Sequence, residues 1–266
     1  MSRAVPALIL AVVSLFGLYA GGPAYSAASV LHGATWEPGP LAPNNLVIIR
    51  GAELSFEKGE ASPDLLRFGP LPTLIPTTGV RVSIGEVLAV LLSVSPEEIV
   101  AIVPPILRPG KVKLYVLRNS LKGPDVELEI RQTAPAFFLS DAGHILARRN
   151  DEEYAFLSEE KPARPGDSII LYASGLGQTY PPLDITEPPR EDRPLAIEPG
   201  LKILWNGSEL PPNAIEYAGL LPGFPGFYQI RLQAPANSPD EPEVRLVMGD
   251  VVTPPGQRLW LRRPPM

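Results

Sequence analysis

The apolar positions of the chain occur in short runs rich in Val, Ile, Leu and Tyr, which proline and glycine interrupt every few residues. Runs of about 4–8 such residues between turn-forming residues are typical of β-strands. After the N-terminal stretch, no segment keeps the periodicity of an amphipathic helix. The pattern therefore predicts an all-β protein of the sandwich class.

Two kinds of strand can be distinguished by their patterning. Residues 46–50 and 168–172 are almost continuously apolar, which predicts central strands that are covered on both faces. Residues 111–116 and 125–130 alternate polar and apolar side chains, so each should have one face in water and one in a core. If the alternating pair forms a hairpin, the lysines of the first strand lie opposite the acidic row of the second.

The same succession of segments occurs twice along the chain. The matching segments are 43–51 with 165–173, 82–85 with 204–207, and 99–104 with 230–235. A repeat of this length is too long for a solenoid unit and fits two related domains. We therefore expect one domain at residues 29–133 and a second at residues 134–266.

Two proline-rich stretches, residues 56–78 and 180–199, have no counterpart in the repeat, and we expect both to form long loops. The segment between the domains, residues 131–135, is short, and the apolar residues 136–139 follow it at once. So few residues cannot form a long flexible tether. We expect a restricted, elongated tandem in which each domain has its own core and the contact between them is modest and polar.

Residues 1–28 have the features of a signal peptide. Arg3 supplies a positive charge, and the apolar stretch at 7–20 is shorter than the ~20 residues that a membrane-spanning helix needs. Small residues then offer a cleavage site that would leave Ala27 or Ser29 at the new N-terminus. We expect an exported protein of the periplasm, cell surface or extracellular space, without a membrane span after cleavage; an uncleaved anchor is the alternative.

The composition of the chain limits which partners and which kinds of site we expect. The formal net charge is −6, and no cluster of Lys and Arg with interleaved aromatic residues is present, so we expect no nucleic-acid partner. The chain contains no cysteine, which excludes disulfides, thiolate metal sites, haem attachment and cysteine nucleophiles.

Several short motifs recur in order across the two copies. They are the segments 37–43 and 95–104 in the first copy and 165–167, 170–177 and 218–224 in the second. In these motifs the chain, from roughly residue 30 to the end, resembles the Solibacter-type uncharacterised C-terminal domain. That family comprises exported bacterial proteins with immunoglobulin-like repeats akin to IPT/TIG domains. The resemblance implies two tandem immunoglobulin-like β-sandwich domains and no established activity.

The sequence offers no catalytic centre that meets the requirements of a hydrolase. No G-x-S-x-G motif is present, because the residue two positions before Ser174 is a tyrosine. His32 and His144 lie outside any motif and are more typical of packed or surface histidines than of a general base. We expect no catalytic residues.

The acidic row Asp125, Glu127 and Glu129 is the best arrangement of carboxylates for a metal. Side chains two apart on a strand stand nearly 7 Å from each other, at about 3.4 Å per residue. The loop pattern D-x-D-x-D-G of calcium sites is absent. The row is more typical of a solvated strand face, and we expect no metal and no cofactor.

Aromatic residues near turns are the only candidate ligand contacts. The candidates are Trp36, Tyr180, Tyr217 and Phe224, because β-sandwiches that bind glycans present flat rings at such places. The alternative is that Trp36, Phe224 and Tyr228 close the ends of the sandwiches as part of the cores.

Three functional hypotheses follow. The first is a non-catalytic exported module for interaction or spacing in the cell envelope or extracellular space, with a protein or glycan partner that the sequence does not identify. The second is a polysaccharide-binding β-sandwich module. The third is a hydrolase with an unrecognised site, which no motif supports.

Overall fold

The computed structural model of the protein describes residues 21–184, 187–189, 193–194 and 200–263. Within these residues the chain is all-β and forms four antiparallel sheets, two in each half. The prediction of two tandem immunoglobulin-like β-sandwiches is confirmed. The apolar stretch of the predicted signal peptide, residues 7–20, lies outside the described residues.

The first sandwich comprises β1 (Val30–His32), β2 (Leu46–Arg50), β3 (Gly59–Glu60), β4 (Val80–Ile84), β5 (Val87–Leu88), β6 (Val90–Val94), β7 (Glu98–Ile102), β8 (Gly110–Arg118), β9 (Leu121–Lys122) and β10 (Val126–Ile130). One sheet has the strand order β1-β2-β7-β6-β3. The other has the order β10-β8-β4-β5, with β9 paired to β8. A single turn of helix, α1 (Pro63–Arg67), lies between β3 and β4.

The second sandwich comprises β11 (Ala136–Phe137), β12 (Ala147–Arg149), β13 (Ser168–Ser174), β14 (Arg193–Pro194), β15 (Leu201–Trp205), β16 (Ser208–Glu209), β17 (Ile215–Leu221), β18 (Phe224–Gln233), β19 (Val244–Met248) and β20 (Val251–Val252). One sheet has the order β11-β13-β18-β17-β14, with β12 also paired to β13, and the other has the order β16-β15-β19-β20.

Each sandwich encloses its own apolar core. Val47 and Ile49 of β2 belong to a buried cluster with Leu114 of β8, on the opposite sheet. In the second half, Ile169 and Leu171 of β13 belong to a separate buried cluster. The predicted central strands are therefore interior strands of their sheets, β2 between β1 and β7 and β13 between β11 and β18.

The predicted hairpin of alternating strands is also present. Strand β8 pairs with β10 so that Lys111 lies opposite Glu129, and its ammonium group is 2.7 Å from the carboxylate of Glu127. The turn at Asn206 and Gly207 joins β15 to β16, and both residues have positive φ, as a type I′ turn requires.

The expectation of a long loop at residues 56–78 is wrong. This stretch contains β3 and α1, and Leu71 and Ile75 are buried. Ser62 caps the helix by accepting a hydrogen bond from the backbone N–H of Leu65, and Pro63 occupies the first turn, where its missing N–H costs nothing. Of the other predicted loop, residues 185–186, 190–192 and 195–199 lie outside the described residues.

Residues 21–28 pack against the first sandwich, although the sequence predicts that they belong to the signal peptide. Ala24 exchanges two backbone hydrogen bonds with Ala52, each 2.9 Å long. The Tyr25 hydroxyl donates to the carbonyl of Pro124 and accepts from the backbone N–H of Val116. In the described part of the chain, no helix has the length and apolar character to cross a bilayer.

Candidate functional site

The two sandwiches meet at a junction that is held by buried polar side chains. Asn45, at the entrance to β2, donates from Nδ2 to the Oγ of Ser174 at the end of β13, 3.0 Å away. The backbone N–H of Leu46 donates to the same Oγ, and Ser174 in turn donates to the carbonyl of Gly226. Asn45 and Ser174 are completely buried, so these bonds join the domains without competition from water.

His32 of β1 fixes the segment that connects the domains. Its Nδ1 accepts from the backbone N–H of Ala34, so the proton of the neutral ring is on Nε2, which donates to the carbonyl of Ala134 at 2.9 Å. Burial in the junction lowers the pKa of His32 below its usual value, although the bond to Ala134 acts in the opposite direction. The ring is therefore a neutral structural group at pH 7.

A second set of hydrogen bonds converges on the carbonyl of Gly177. Asn44 donates to it from the first domain, with a distance of 3.3 Å, and the buried hydroxyl of Tyr228 donates to it from the second. Tyr228 lies within β18 and belongs to the buried cluster of the second sandwich. Complete burial raises its pKa far above the usual value, so the phenol stays protonated.

Gly175 shows how closely the connecting segment approaches the second domain. Its φ is +76°, and a Cβ at this position would lie 1.9 Å from the carbonyl oxygen of Ala134. The Gly175 carbonyl accepts from the backbone N–H of Ala134 at 2.8 Å. The position therefore excludes every residue with a side chain, both by backbone conformation and by contact.

Apolar packing forms the other half of the junction. Phe138 and Phe227 of the second domain stack with ring centroids 4.7 Å apart. They pack with apolar residues of the first domain, namely Leu46, Leu66, Leu71, Val90, Leu92, Val100 and Ile102. The expectation of a modest, polar contact is therefore wrong, because the junction combines buried hydrogen bonds with an apolar cluster.

Two adjoining concavities of about 520 and 590 Å³ lie beside the junction. Both are lined by Pro109, Gln132, Thr133 and Met248, so residues of the two domains form one cleft. Within it, Arg131 donates to the Glu129 carboxylate at 2.8 Å. A cleft of this size falls in the range of small-ligand sites, roughly 300–1,000 Å³.

The structure does not bring the four candidate aromatic residues together in one site. Trp36 is 52% exposed beneath the Arg50 guanidinium, and Phe224 is 43% exposed beneath that of Arg67, so neither closes a sandwich end. Tyr217 on β17 stacks with Arg231. Tyr180 is 73% exposed and precedes Pro182, which lines the larger concavity. Their role as ligand contacts stays a prediction.

Hydroxyl and imidazole groups meet at the junction, but their bonding does not fit nucleophilic catalysis. The Ser174 oxygen accepts two hydrogen bonds and its proton is donated to Gly226, so no base is placed to remove that proton. His144 lies elsewhere, stacked on Trp260 at 3.6 Å. Within the described residues no cluster of His, Asp and Glu could hold a metal ion.

Sequence reasoning missed the joint role of His32, Asn45 and Ser174. The local signal is the Ser-Gly-Leu-Gly motif at 174–177, because its two glycines permit a close approach of backbone. That the approaching backbone belongs to the linker between the domains was not readable from the motif.

No known protein family and no curated protein sequence matches the chain. Among solved structures, the surface glycan-binding protein PbSGBP-B from Prevotella bryantii is 11% identical, with a TM-score of 0.26, over 89% of this chain and 42% of its own. The gamma-CGTase of alkalophilic Bacillus clarkii is 11% identical, with a TM-score of 0.28, over 91% and 27%. The titin tandem domains A164–A165 are 6% identical, with a TM-score of 0.23, over 85% and 91%.

The chain thus spans less than half of the length of the first two of these proteins. At such low identities and TM-scores the likenesses carry no argument about function.

Proposed function

We propose that the chain is a non-catalytic module for interaction or spacing, active in the cell envelope or extracellular space. The observation that carries the proposal is the junction. A spacer of defined length, or a binding surface shared by two domains, benefits from a fixed relation of the domains, because no ordering cost then opposes binding. The buried bonds of Asn45 and Ser174, together with the Phe138–Phe227 cluster, supply that relation.

Opening the junction costs free energy, which favours a rigid arrangement of the domains. Contacts between domains of one chain are ordinarily polar and permit relative motion. Here, opening the junction replaces the buried hydrogen bonds of Asn45, His32 and Ser174 by bonds to water, at a net cost of about 0.5–1.5 kcal/mol for each bond. It also exposes an apolar cluster, at about 25 cal/mol per Å². The closed arrangement is therefore the populated one.

The proposal is tested with the purified chain by a turnover screen and a binding assay. We expect no turnover of ester, glycoside or peptide substrates. We expect retention of the chain on envelope material of its host, with weaker retention after Asn45→Ala loosens the junction. The exposed replacement Asn213→Ala serves as a control that should leave retention unchanged. Robust turnover of any of the substrates would contradict the proposal.

A polysaccharide-binding function is the second candidate, and the exposure of two aromatic rings favours it. Tyr180 is 73% and Trp36 52% exposed, whereas large aromatic side chains contribute most when they are buried. Pull-down on insoluble neutral polysaccharides should then fall with Tyr180→Ala or Trp36→Ala. It should not fall with Phe156→Ala, which removes another exposed ring. Equal retention of all three variants would reject this candidate.

A further inference from the structure

A concave surface of about 400 Å³ in the second domain concentrates positive charge, although the chain as a whole is acidic. The basic residues that line it, here called the cationic basin, are Arg149, Lys161, Arg164, Arg262 and Arg263. The acidic residues of its lining are Glu159 and Glu160. Five cations against two carboxylates leave a net positive basin in a protein with a formal charge of −6.

Backbone pairing brings these residues together. Ala163 forms a parallel bridge with Leu261, and the N–H of Arg262 donates to the carbonyl of Ala163 at 2.9 Å, which places Arg164 beside Arg262. Arg149 ends β12, which is paired with β13. The backbone positions from which these cations project are therefore fixed by hydrogen bonds.

Most of the positive charge has no counter-ion within the described residues. Arg262 pairs with Glu159 at 3.2 Å. The Arg263 guanidinium donates to the backbone carbonyls of Ser238 and Asn237, which carry no net charge. Arg149, Lys161 and Arg164 form no ion pair with any described residue, and the shielded Nε of Arg149 lacks a hydrogen-bond partner. Neighbouring cations without counter-ions repel one another, and a bound oxyanion relieves that repulsion.

A second concavity of about 200 Å³ adjoins the basin and shares Arg149 and Arg164 with it. Its lining adds Asn150, Asp151, Asp167 and Ser168, whose amide, hydroxyl and carboxylate groups are of the kind that bond sugar hydroxyls. With Asp151 and Asp167 included, the combined surface has five cations and four carboxylates, and one oxygen of each of these two aspartates accepts a backbone N–H. Arginine suits carboxylates because its planar fork makes two parallel hydrogen bonds. A ligand that carries both a carboxylate and several hydroxyls matches both parts of this surface.

We propose that the cationic basin, with the adjoining concavity, binds an acidic saccharide through its uronate carboxylates and hydroxyls. The ligand chemistry is the same for a free uronic acid and for a uronate repeat within a polymer. The combined surface has the size of ordinary small-ligand sites, which span roughly 300–1,000 Å³. The basin does not involve the junction, so this proposal stands or falls independently of the proposed spacing function.

Isothermal titration of the purified chain with a trigalacturonate tests the proposal, with galacturonate monomer, neutral galactose trisaccharide and sodium sulfate as parallel ligands. We expect trigalacturonate to bind with an affinity that weakens as salt is raised, and the neutral trisaccharide not to bind under the same conditions. Tighter binding of the trimer than of the monomer identifies a polymer ligand, and equal binding identifies a free uronate; both support the site.

Lys161→Ala and Arg164→Ala should each weaken binding about tenfold, the usual effect of losing a hydrogen bond to a charged group. Both positions are exposed, so folding should be retained, which circular dichroism verifies. Lys58→Ala, which removes an exposed cation of the first domain, should leave the affinity unchanged. The proposal is overturned if trigalacturonate does not bind, if sulfate or the neutral sugar binds equally well, or if the basin variants match Lys58→Ala.

Discussion

Replacing Asn45 by alanine should loosen the junction more than any other single polar replacement in it. The Asn45 side chain is fully buried and belongs to bonds in both domains. Its Oδ1 accepts from the backbone N–H of Ala42 at 2.7 Å, and its Nδ2 donates to Ser174 across the junction at 3.0 Å. Alanine removes both bonds at once, together with the contact of 2.8 Å between Nδ2 and Nε2 of His32.

The cost can be worked out from what remains after the replacement. The N–H of Ala42 loses its side-chain acceptor, and a buried donor without a partner costs about 1–3 kcal/mol. Ser174 keeps the donor N–H of Leu46, so its loss is only the net value of one bond, about 1 kcal/mol. The total is about 2–4 kcal/mol, which lowers Tm by roughly 4–16 °C in a protein of this size.

Differential scanning calorimetry at pH 7.5 measures the effect. The wild-type chain should unfold in one cooperative transition, whereas Asn45→Ala should unfold at lower temperature with two resolvable transitions, since the sandwiches then open separately. Asn213→Ala, at an exposed position, should behave as the wild type. A Tm for Asn45→Ala equal to that of the control would refute the assigned role.

Three further predictions concern the junction and the N-terminal segment. The folded junction lowers the pKa of His32 below its usual value of 6.5, whereas the unfolded chain does not, so the free energy of unfolding should fall as pH drops below about 6.5. Thermal unfolding measured from pH 8 to 5 should show a smaller dependence of Tm on pH for His32→Gln than for the wild type. Gly175→Ala should lower the free energy of unfolding in urea by about 3 kcal/mol or more. Gly256→Ala should lower it much less, because Gly256 has a similar positive φ but no atom within 4 Å of an added Cβ. Tyr25→Phe removes two hydrogen bonds of the hydroxyl and should therefore lower the urea midpoint at pH 7.5. Burial raises the pKa of Tyr25 to about 12, so the wild type should lose stability as pH rises from 10 to 12, and Tyr25→Phe should not show this loss.

Local patterning of polar and apolar residues was sufficient to predict the strands and which of their faces are buried. Continuous apolar runs predicted β2 and β13 as interior strands, because only a strand covered on both faces tolerates them. Alternation of polar and apolar residues predicted the pairing of β8 with β10. In each case the physical cause lies within a few residues of sequence.

The junction was not predictable because its partners are distant along the chain. Asn45 and Ser174 are 129 residues apart, and nothing near either position specifies the other. Phe138 follows Phe137, yet Phe137 enters the core of its own sandwich while Phe138 packs across the junction. Strand alternation explains that split only after the neighbouring domain is in place. The short helix α1 was missed although Ser62 and Pro63 are standard start signals, because the prolines of the stretch favoured a loop.

The relative orientation of the two sandwiches is the most direct test of the account. Residual dipolar couplings of backbone amides in β2 and β7, and in β13 and β18, report that orientation in solution. We predict that one alignment tensor fits the couplings of both domains, because the buried bonds of Asn45, Ser174 and His32 and the Phe138–Phe227 cluster hold them as one body. Two tensors of clearly different magnitude would show independently tumbling domains and would contradict the central claim.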